Sequence, residues 1–512
     1  VPEFAAKRAR ERPEEVALRD ARQALTWSEL DRLLNCAANA LRETELGAAR
    51  RVAVFAENHA ETVLAHLGGL LAGASTVPVN FHLTAAEVAY ILSESEAQLL
   101  FVGPETAEAG IEAARQAGVP HIIGWNCEGV AGVRSFRQWL HAASPAAPPL
   151  DTAPRPNLMF TSGTTGRPKA TELPPTMFAA GRDLAEHLAQ LAKTAFARLG
   201  PHLVVGPLYH TGPLSGARCL AGGAPLVVLG RFDAENTLRA IARYRIESSV
   251  MVPTHFVRLL QLPEERRAAF DVSSLKLVFH TGARCPVEVK RRMLEWWRDC
   301  IYEAYGATEV GTTCSIGPED WLAHPGSVGR PNPPFEALVV DESGAPLPPG
   351  SEGRLYFRDS TGRGVVYHND AEKSAAAHLR PGVFTLGEIG YVDEEGFVYI
   401  TDRFSDMVIS GGVNIYPAES EQVLALHTDV VDVACIGVPH AEMGEELRAL
   451  VVRRPGSTLS GEALVQWCRA RLSHYKCPRS AMFVDDLGRS AAGKVDKRRL
   501  RDAHLQAQAE AP

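Results

Sequence analysis

The sequence predicts a mixed α/β protein of two or more domains, and three observations predict it. Apolar runs alternate with helical patterns over most of the chain, the mark of a parallel sheet. After about residue 335 the apolar stretches become short, alternating and punctuated by Gly and Pro, like the hairpins of an antiparallel sheet. From about residue 405 a compact α+β pattern closes the chain. With 512 residues, the protein is too long for one compact core.

The elements follow in order. RVAVF (51–55) reads as a strand, ETVLAHLGGLLAG (61–73) as a helix and TVPVN (76–80) as a strand. TAAEVAYILSES (84–95) is helical in period and QLLFV (98–102) is again a strand. SPAAPPLDTAPRP (144–156) is an irregular connector. NLMF precedes a glycine- and hydroxyl-rich loop, and PPTMFAAGRDLAEHLAQL after it predicts a helix with prolines at its start. HLVVG, PLVVL, SSVMV and LKLVF are buried strands, with helices such as AENTLRAIARYR between them. FEALVVD, GRLYFRD and FVYITD form the hairpin region. The last part has helices PAESEQVLALH and GEALVQWCRARL, with strands VVDVACIGV and LRALVVR.

Composition excludes several classes. Hydrophobic residues are 46% and charged residues 22%, the ordinary globular range. A net charge of −8 gives no reason to expect nucleic acid or an anionic membrane as partner. The basic run KVDKRRLRD is best read as a solvated helix face. Nine scattered cysteines without a CxxC pair predict reduced thiols and a cytoplasmic setting. No apolar run approaches the ~20 residues of a membrane span. The stretch VPEFAAKRARERPEE has no apolar signal core, so no secretion signal is expected.

The loop FTSGTTGRPKA (160–170) carries the first chemical signal. Glycines let backbone N–H groups converge on phosphate oxygens, and the hydroxyls of Thr161, Ser162, Thr164 and Thr165 can donate to them. Lys169 adds a point charge. The spacing is not that of the common P-loop, and such a loop alone is more often a plain linker.

Further along stand YGATE (305–309), GVFTLGEIG (382–390), TDRFSDMVISGGVNIYPAE (401–419) and RSAAGKVDKRRL (489–500). Together and in this order, the five motifs resemble the adenylate-forming superfamily: acyl- and aryl-CoA synthetases, luciferases and the adenylation domains of peptide synthetases. The resemblance covers nearly the whole chain. It implies a large N-terminal region (1–404) of α/β sheets plus a distorted β-barrel, followed by a small mobile α+β C-terminal domain (405–512). It also implies two half-reactions. A carboxylic acid attacks the α-phosphate of ATP, with Mg²⁺ present, giving an acyl-adenylate and pyrophosphate; coenzyme A then displaces AMP.

By that resemblance Thr161, Ser162, Gly163, Thr164, Thr165 and Lys169 hold the β- and γ-phosphates. Thr308 binds the α-phosphate and Glu309 ligates Mg²⁺. Tyr305 and Gly306 lie at the adenine, with Gly282, Ala283, Arg284 and Cys285 lining the base. Arg403 binds ribose. Glu388 stands where the family has an aspartate, one methylene longer. Lys494 reaches the acid and the α-phosphate from the C-terminal domain. Ser405 is the pivot, where the family has aspartate or lysine. Gly411 and Gly412 leave room for the pantetheine arm. His210, in GPLYHTGPL, flanks the acyl group; His255 or Phe256 adds a wall, and Gly282, Gly306, Gly311 and Thr312 border the rest.

Taken singly, each signal has a plain reading: Glu309 a surface carboxylate, Lys494 one more cation in a basic tail, His210 a structural histidine, Gly411–Gly412 a turn. The implied function is an acyl-CoA ligase for an apolar acid, whether aryl, fatty or polycyclic. Alternatives are an enzyme loading a carrier protein, a luciferase-like oxygenase, and a silent acyl-adenylate binder. Homodimerisation is left open.

Overall fold

The computed structural model describes residues 3–127, 129–161, 168–178, 181–403, 406–410, 413–440, 443–490 and 493–509. A five-stranded parallel sheet runs in the order Ser75–Val79, Arg51–Phe55, Leu99–Val102, His121–Gly124, Arg134–Ser135. Every residue of its first three strands is buried, as a parallel sheet covered on both faces requires. Helix Ala85–Glu94 begins where Thr84 and Glu87 form a reciprocal cap, and helix Trp27–Glu43 begins likewise at Thr26 and Glu29.

A fifteen-stranded sheet, with a small two-stranded one, forms the rest of the N-terminal region's strands. Its parallel centre runs Leu226–Val228, His202–Val204, Ser248–Met251, Leu277–His280, Ile301–Ala307. The strand His202–Val204 has its successor in sequence on one side and the following strand on the other. The strand order therefore reverses there, which opens a crevice at the carboxyl ends. Antiparallel strands continue the sheet through Gly311–Ile316, Ser327–Pro331, Val398–Arg403, Glu388–Val392 and Gly353–Asp359, in an open path. A separate five-stranded sheet carries the C-terminal part, with its own core around Val408, Leu424, Cys435, Leu447 and Leu464.

Two elements differ from expectation. Lys169–Glu172 is a strand, paired antiparallel with Leu158–Thr161, so that Lys169 stands opposite Thr161. The helix predicted over PPTMFAAGRDLAEHLAQL is confined to Leu184–Leu191. After Pro174 and Pro175 the chain makes only a turn, in which the Met177 and Phe178 N–H groups both donate to the Pro174 carbonyl, at 2.9 and 2.8 Å. The helix starts only where Asp183 can cap it, its Oδ1 accepting from the Glu186 N–H at 2.8 Å.

Candidate active site

Carboxyl ends of the parallel strands converge on one cleft. The segment after His202–Val204 leads to His210. Ser248–Met251 leads to Thr254, Leu277–His280 to Gly282–Arg284, and Ile301–Ala307 to Thr308 and Glu309.

Glu309 is bracketed. Its Oε1 accepts from the Thr161 hydroxyl at 3.3 Å, and its backbone oxygen accepts from Arg363 Nη1 at 2.9 Å. Lys169 lies over the ring of Tyr367, 4.7 Å from the centroid. Burial, followed by the charge of Glu309, pushes the Tyr367 hydroxyl well above its usual range. The Thr308 hydroxyl meets that of Thr211 at 3.2 Å, tying YGATE to the first turn of helix Thr211–Ala217. One carboxylate with a hydroxyl beside it suits Mg²⁺, which draws its remaining oxygens from phosphates and water. Among the described residues no group of three or more His, Cys, Asp or Glu side chains could hold an ion alone.

Glu388 and Arg403 are direct cross-strand partners. Glu388 is 9% exposed, and its Oε2 is buried with no hydrogen-bond partner among the described residues. Burial raises its carboxyl above the usual range, against the opposing charges of Arg403 and Lys494. The Tyr305 hydroxyl is close enough to feel that carboxylate, yet it too is buried without a well-formed hydrogen bond. Two orphaned polar atoms beside a cation make a place where ligand hydroxyls would be received. Gly306 has no room for a side chain, since a Cβ there would overlap the Gly311 backbone oxygen.

Lys494 enters the same cleft from the C-terminal part. Its surface is open to the solvent of the cleft, while protein surrounds it. Burial and the charge of Arg403 lower its pKa, and Glu309 and Glu388 oppose the shift. The loop beneath it is tethered: Lys494 N–H donates to Ser490 Oγ at 3.1 Å, and Arg489 Nη1 donates to the Gly493 carbonyl at 2.8 Å. Arg489 is itself held by a two-pronged pair with Asp432 at 2.6 Å. His210 is the N-cap of helix Thr211–Ala217, and burial followed by the charge of Lys494 pushes its pKa down to about 4. Lys494, Glu309, Glu388, Arg403 and His210 thus share one electrostatic neighbourhood.

Other expected residues are placed differently. The Arg284 side chain leaves the base loop: Nη1 donates to the Thr401 carbonyl at 2.8 Å, and Nη2 and Nε reach the Gln422 amide oxygen at 2.8 Å. His255 stacks on Phe232 at 4.1 Å and caps its own helix through Val252, while Phe256 is wholly buried. The residue preceding His255, Thr254, lies against Gly493. Ser162, Gly163, Thr164, Thr165, Ser405, Gly411 and Gly412 lie outside the described residues. Lys497, read as part of a solvated face, is half-buried instead and pairs with Glu421 at 2.9 Å. Arg363, Tyr367, Thr211 and Thr254 join the site without having been singled out. Each is a common residue type in a stretch without spacing, and only the contact reveals it.

Similarities to known proteins follow the same division of the chain. The family model described as AMP-binding enzyme matches residues 5–365, and the AMP-binding enzyme C-terminal domain matches 419–494. The chain is 35% identical to the 3-[(3aS,4S,7aS)-7a-methyl-1,5-dioxo-octahydro-1H-inden-4-yl]propanoyl:CoA ligase of Mycobacterium tuberculosis, over 98% of each chain. It is 34% identical to the feruloyl-CoA synthase of an Amycolatopsis species, over 97% of each. Among solved structures, the o-succinylbenzoate CoA synthetase of Bacillus subtilis in complex with its acyl-adenylate intermediate matches with a TM-score of 0.76, at 26% identity over 98% of each chain.

Proposed function

Because the chain belongs to the AMP-binding enzyme family, we propose that it is an ATP-dependent acyl-CoA ligase for an apolar carboxylic acid. It joins the acid to AMP with release of pyrophosphate, then transfers the acyl group to the thiol of coenzyme A with release of AMP. The observation that carries this reading is Lys494 in the cleft, within the field of Glu309, Glu388 and Arg403.

Adenylation brings two anions together at a crowded phosphorus. Positioning and charge neutralisation are what the protein must supply. The segment from Thr161 to Lys169 holds the β- and γ-phosphates, and Thr308 orients the α-phosphate. Glu309 is the carboxylate that would hold Mg²⁺, which when bound offsets phosphate charge. Glu388 and Arg403 take the ribose: the unpaired Oε2 accepts from a ribose hydroxyl, and the guanidinium supplies donors. Lys494 offsets the charge that builds as the acid oxygen approaches phosphorus. His210 is neutral at pH 7 and so flanks the acid without adding a cation.

For the second half-reaction, the segment 405–512 swings about Ser405, withdraws Lys494, and presents Gly411–Gly412 to the pantetheine arm. The thiol sulfur then forms the thioester bond as the acyl–phosphate bond breaks and AMP leaves.

All nine cysteines are buried and unbridged, which suits a reducing compartment such as the cytoplasm. Among the described residues no helix is long and apolar enough to cross a membrane. The test is an acid panel scored for AMP with ATP, Mg²⁺ and coenzyme A present. AMP and a CoA thioester should appear together for at least one acid, and no AMP release across a broad panel would overturn the assignment.

A further inference from the structure

Arg218 is a buried cation without a counter-ion. It follows helix Thr211–Ala217, whose N-cap is His210, and it is 5% exposed. Nη2 donates to Asn157 Oδ1 at 2.5 Å and Nη1 to the Met177 carbonyl at 3.3 Å. The guanidinium carbon lies 5.4 Å from the centroid of the Phe178 ring. Among the described residues no carboxylate offsets its charge, and burial alone pulls its pKa down to about 10. The neighbouring His66 is no anion either: burial, then the Arg218 charge, hold it neutral, with a pKa of about 3. A charge so placed is costly unless something else compensates it.

The guanidinium borders a cavity of about 20 Å³ between Leu208, Leu214 and Phe178 on one side and Val63 and Leu67 on the other, with His66, Thr76, Arg155 and Asn157 as its other polar edges. That is room for about one water-sized group. An oxygen atom fits it; a whole ligand does not.

The cavity and the proposed acid site share one stretch of chain. Leu208 lies two residues before His210, Leu214 and Ala217 are on the helix that His210 caps, and Arg218 opens the 3-10 turn directly after it. Eight residues at a helical rise put Arg218 roughly 12 Å beyond His210. Met177, which receives the Arg218 bond, also packs on Gly311, where a Cβ would meet Met177 Cγ at 2.9 Å. The adjacent Thr176 hydroxyl donates to the Val310 carbonyl at 2.8 Å, one residue from Glu309.

We propose that Arg218 reads a second oxygen, a ketone or a carboxylate, at the end of the acid opposite to the carboxylate that is activated. The substrate class is then an apolar acid with a distal oxygen roughly 10–12 Å from the reacting group. The assignment rests on the ligase reading above. It makes Arg218 a specificity residue, remote from the reacting atoms.

The test compares decanoate, 9-oxodecanoate and decanedioate with the full-length protein. Binding is measured by calorimetry, and turnover by pyrophosphate release. The two oxygen-bearing acids should bind better than decanoate by about ten- to a hundredfold, the range of a charge-assisted hydrogen bond. Arg218→Met should erase that preference, raising KM for the oxygen-bearing acids while leaving decanoate nearly unchanged. Arg218→Lys, with the charge kept, should retain part of it and guards against a folding defect in the methionine variant. A purely structural arginine would weaken all three acids alike. That result, no preference in the wild type, or no binding of any of the three would overturn the assignment. Arg218-dependent binding without pyrophosphate release from any acid would instead overturn the ligase reading.

Discussion

Gly493 lies against Thr254, so close that a Cβ on the glycine would overlap the threonine hydroxyl. The glycine also has φ +73°, a conformation that L side chains rarely adopt. Thr254 belongs to the N-terminal region and Gly493 immediately precedes Lys494, so this contact sets how deeply the lysine reaches. Gly493→Ala should slow adenylation by at least tenfold and leave thioester formation from supplied acyl-adenylate largely intact. Thr254→Gly in the same chain should restore part of the loss by removing the overlap, leaving only the backbone strain. Separate assays of the two half-reactions check this; equal slowing of both would argue against the contact.

Glu388 trades stability for function. Its carboxyl is buried, its pKa is raised, and one oxygen is unpaired. A raised carboxyl pKa means that charging the group is harder in the folded protein. Stability is therefore lost as pH rises from the unfolded value, about 4.3, through the folded one. Glu388→Gln should raise the thermal midpoint of the ligand-free protein at pH 7, by removing an unsatisfied buried charge worth about 1–3 kcal/mol. It should also raise the KM for ATP strongly. An unchanged KM for ATP would remove Glu388 from the ribose site.

Buried histidines should make the protein acid-sensitive. His66, His202 and His255 are held at about 3, His210 at about 4, and His280 well below its usual value, each chiefly by burial. Below pH about 6.5 the unfolded chain binds protons that these rings refuse. Stability is thus present above that pH and falls as pH drops toward 4, each ring adding up to about 1.4 kcal/mol per pH unit. Urea midpoints between pH 7.5 and 4.5 measure the slope. A flat profile from 7 to 5 would contradict the neutral assignments.

Lys290 is 0% exposed, pairs with Glu303 Oε2 at 2.5 Å, and lies over the Trp321 ring. Burial pushes both partners toward their neutral forms, and their attraction opposes it. Glu303 is on the strand Ile301–Ala307 that carries Tyr305 and leads to Glu309, so the pair anchors that strand. Lys290→Met should destabilise by about 3–5 kcal/mol because it strands the glutamate. Adding Glu303→Leu should recover most of the loss. Urea unfolding measures both, and a single variant within about 1 kcal/mol of wild type would show that the pair does not anchor the strand.

The parallel strands were legible because burial on both faces leaves continuous apolar runs, as in RVAVF and QLLFV, whose observed bounds are Arg51–Phe55 and Leu99–Val102. Lys169 was expected in the glycine-rich loop, and its place in a strand was not legible. Its pairing with Thr161 is fixed across a loop, and a four-residue strand carries too little periodicity to announce itself. The direction of the Arg284 side chain was not legible, because its partners, Thr401 and Gln422, are far along the chain. Thr254 and Arg218 were illegible for the same reason: a polar residue beside an apolar run looks alike on a surface and in a cleft, and only the opposing element decides which it is.

In the proposed mechanism adenylation turns on the charge of Lys494, and ATP–pyrophosphate exchange with a cognate acid measures it most directly. Lys494→Ala should lower exchange by about 10²–10³-fold, the cost of losing one preorganised contact to developing charge, while supplied acyl-adenylate and coenzyme A are still converted to thioester. Exchange at the wild-type rate, or equal loss of both half-reactions, would contradict the role of that ammonium.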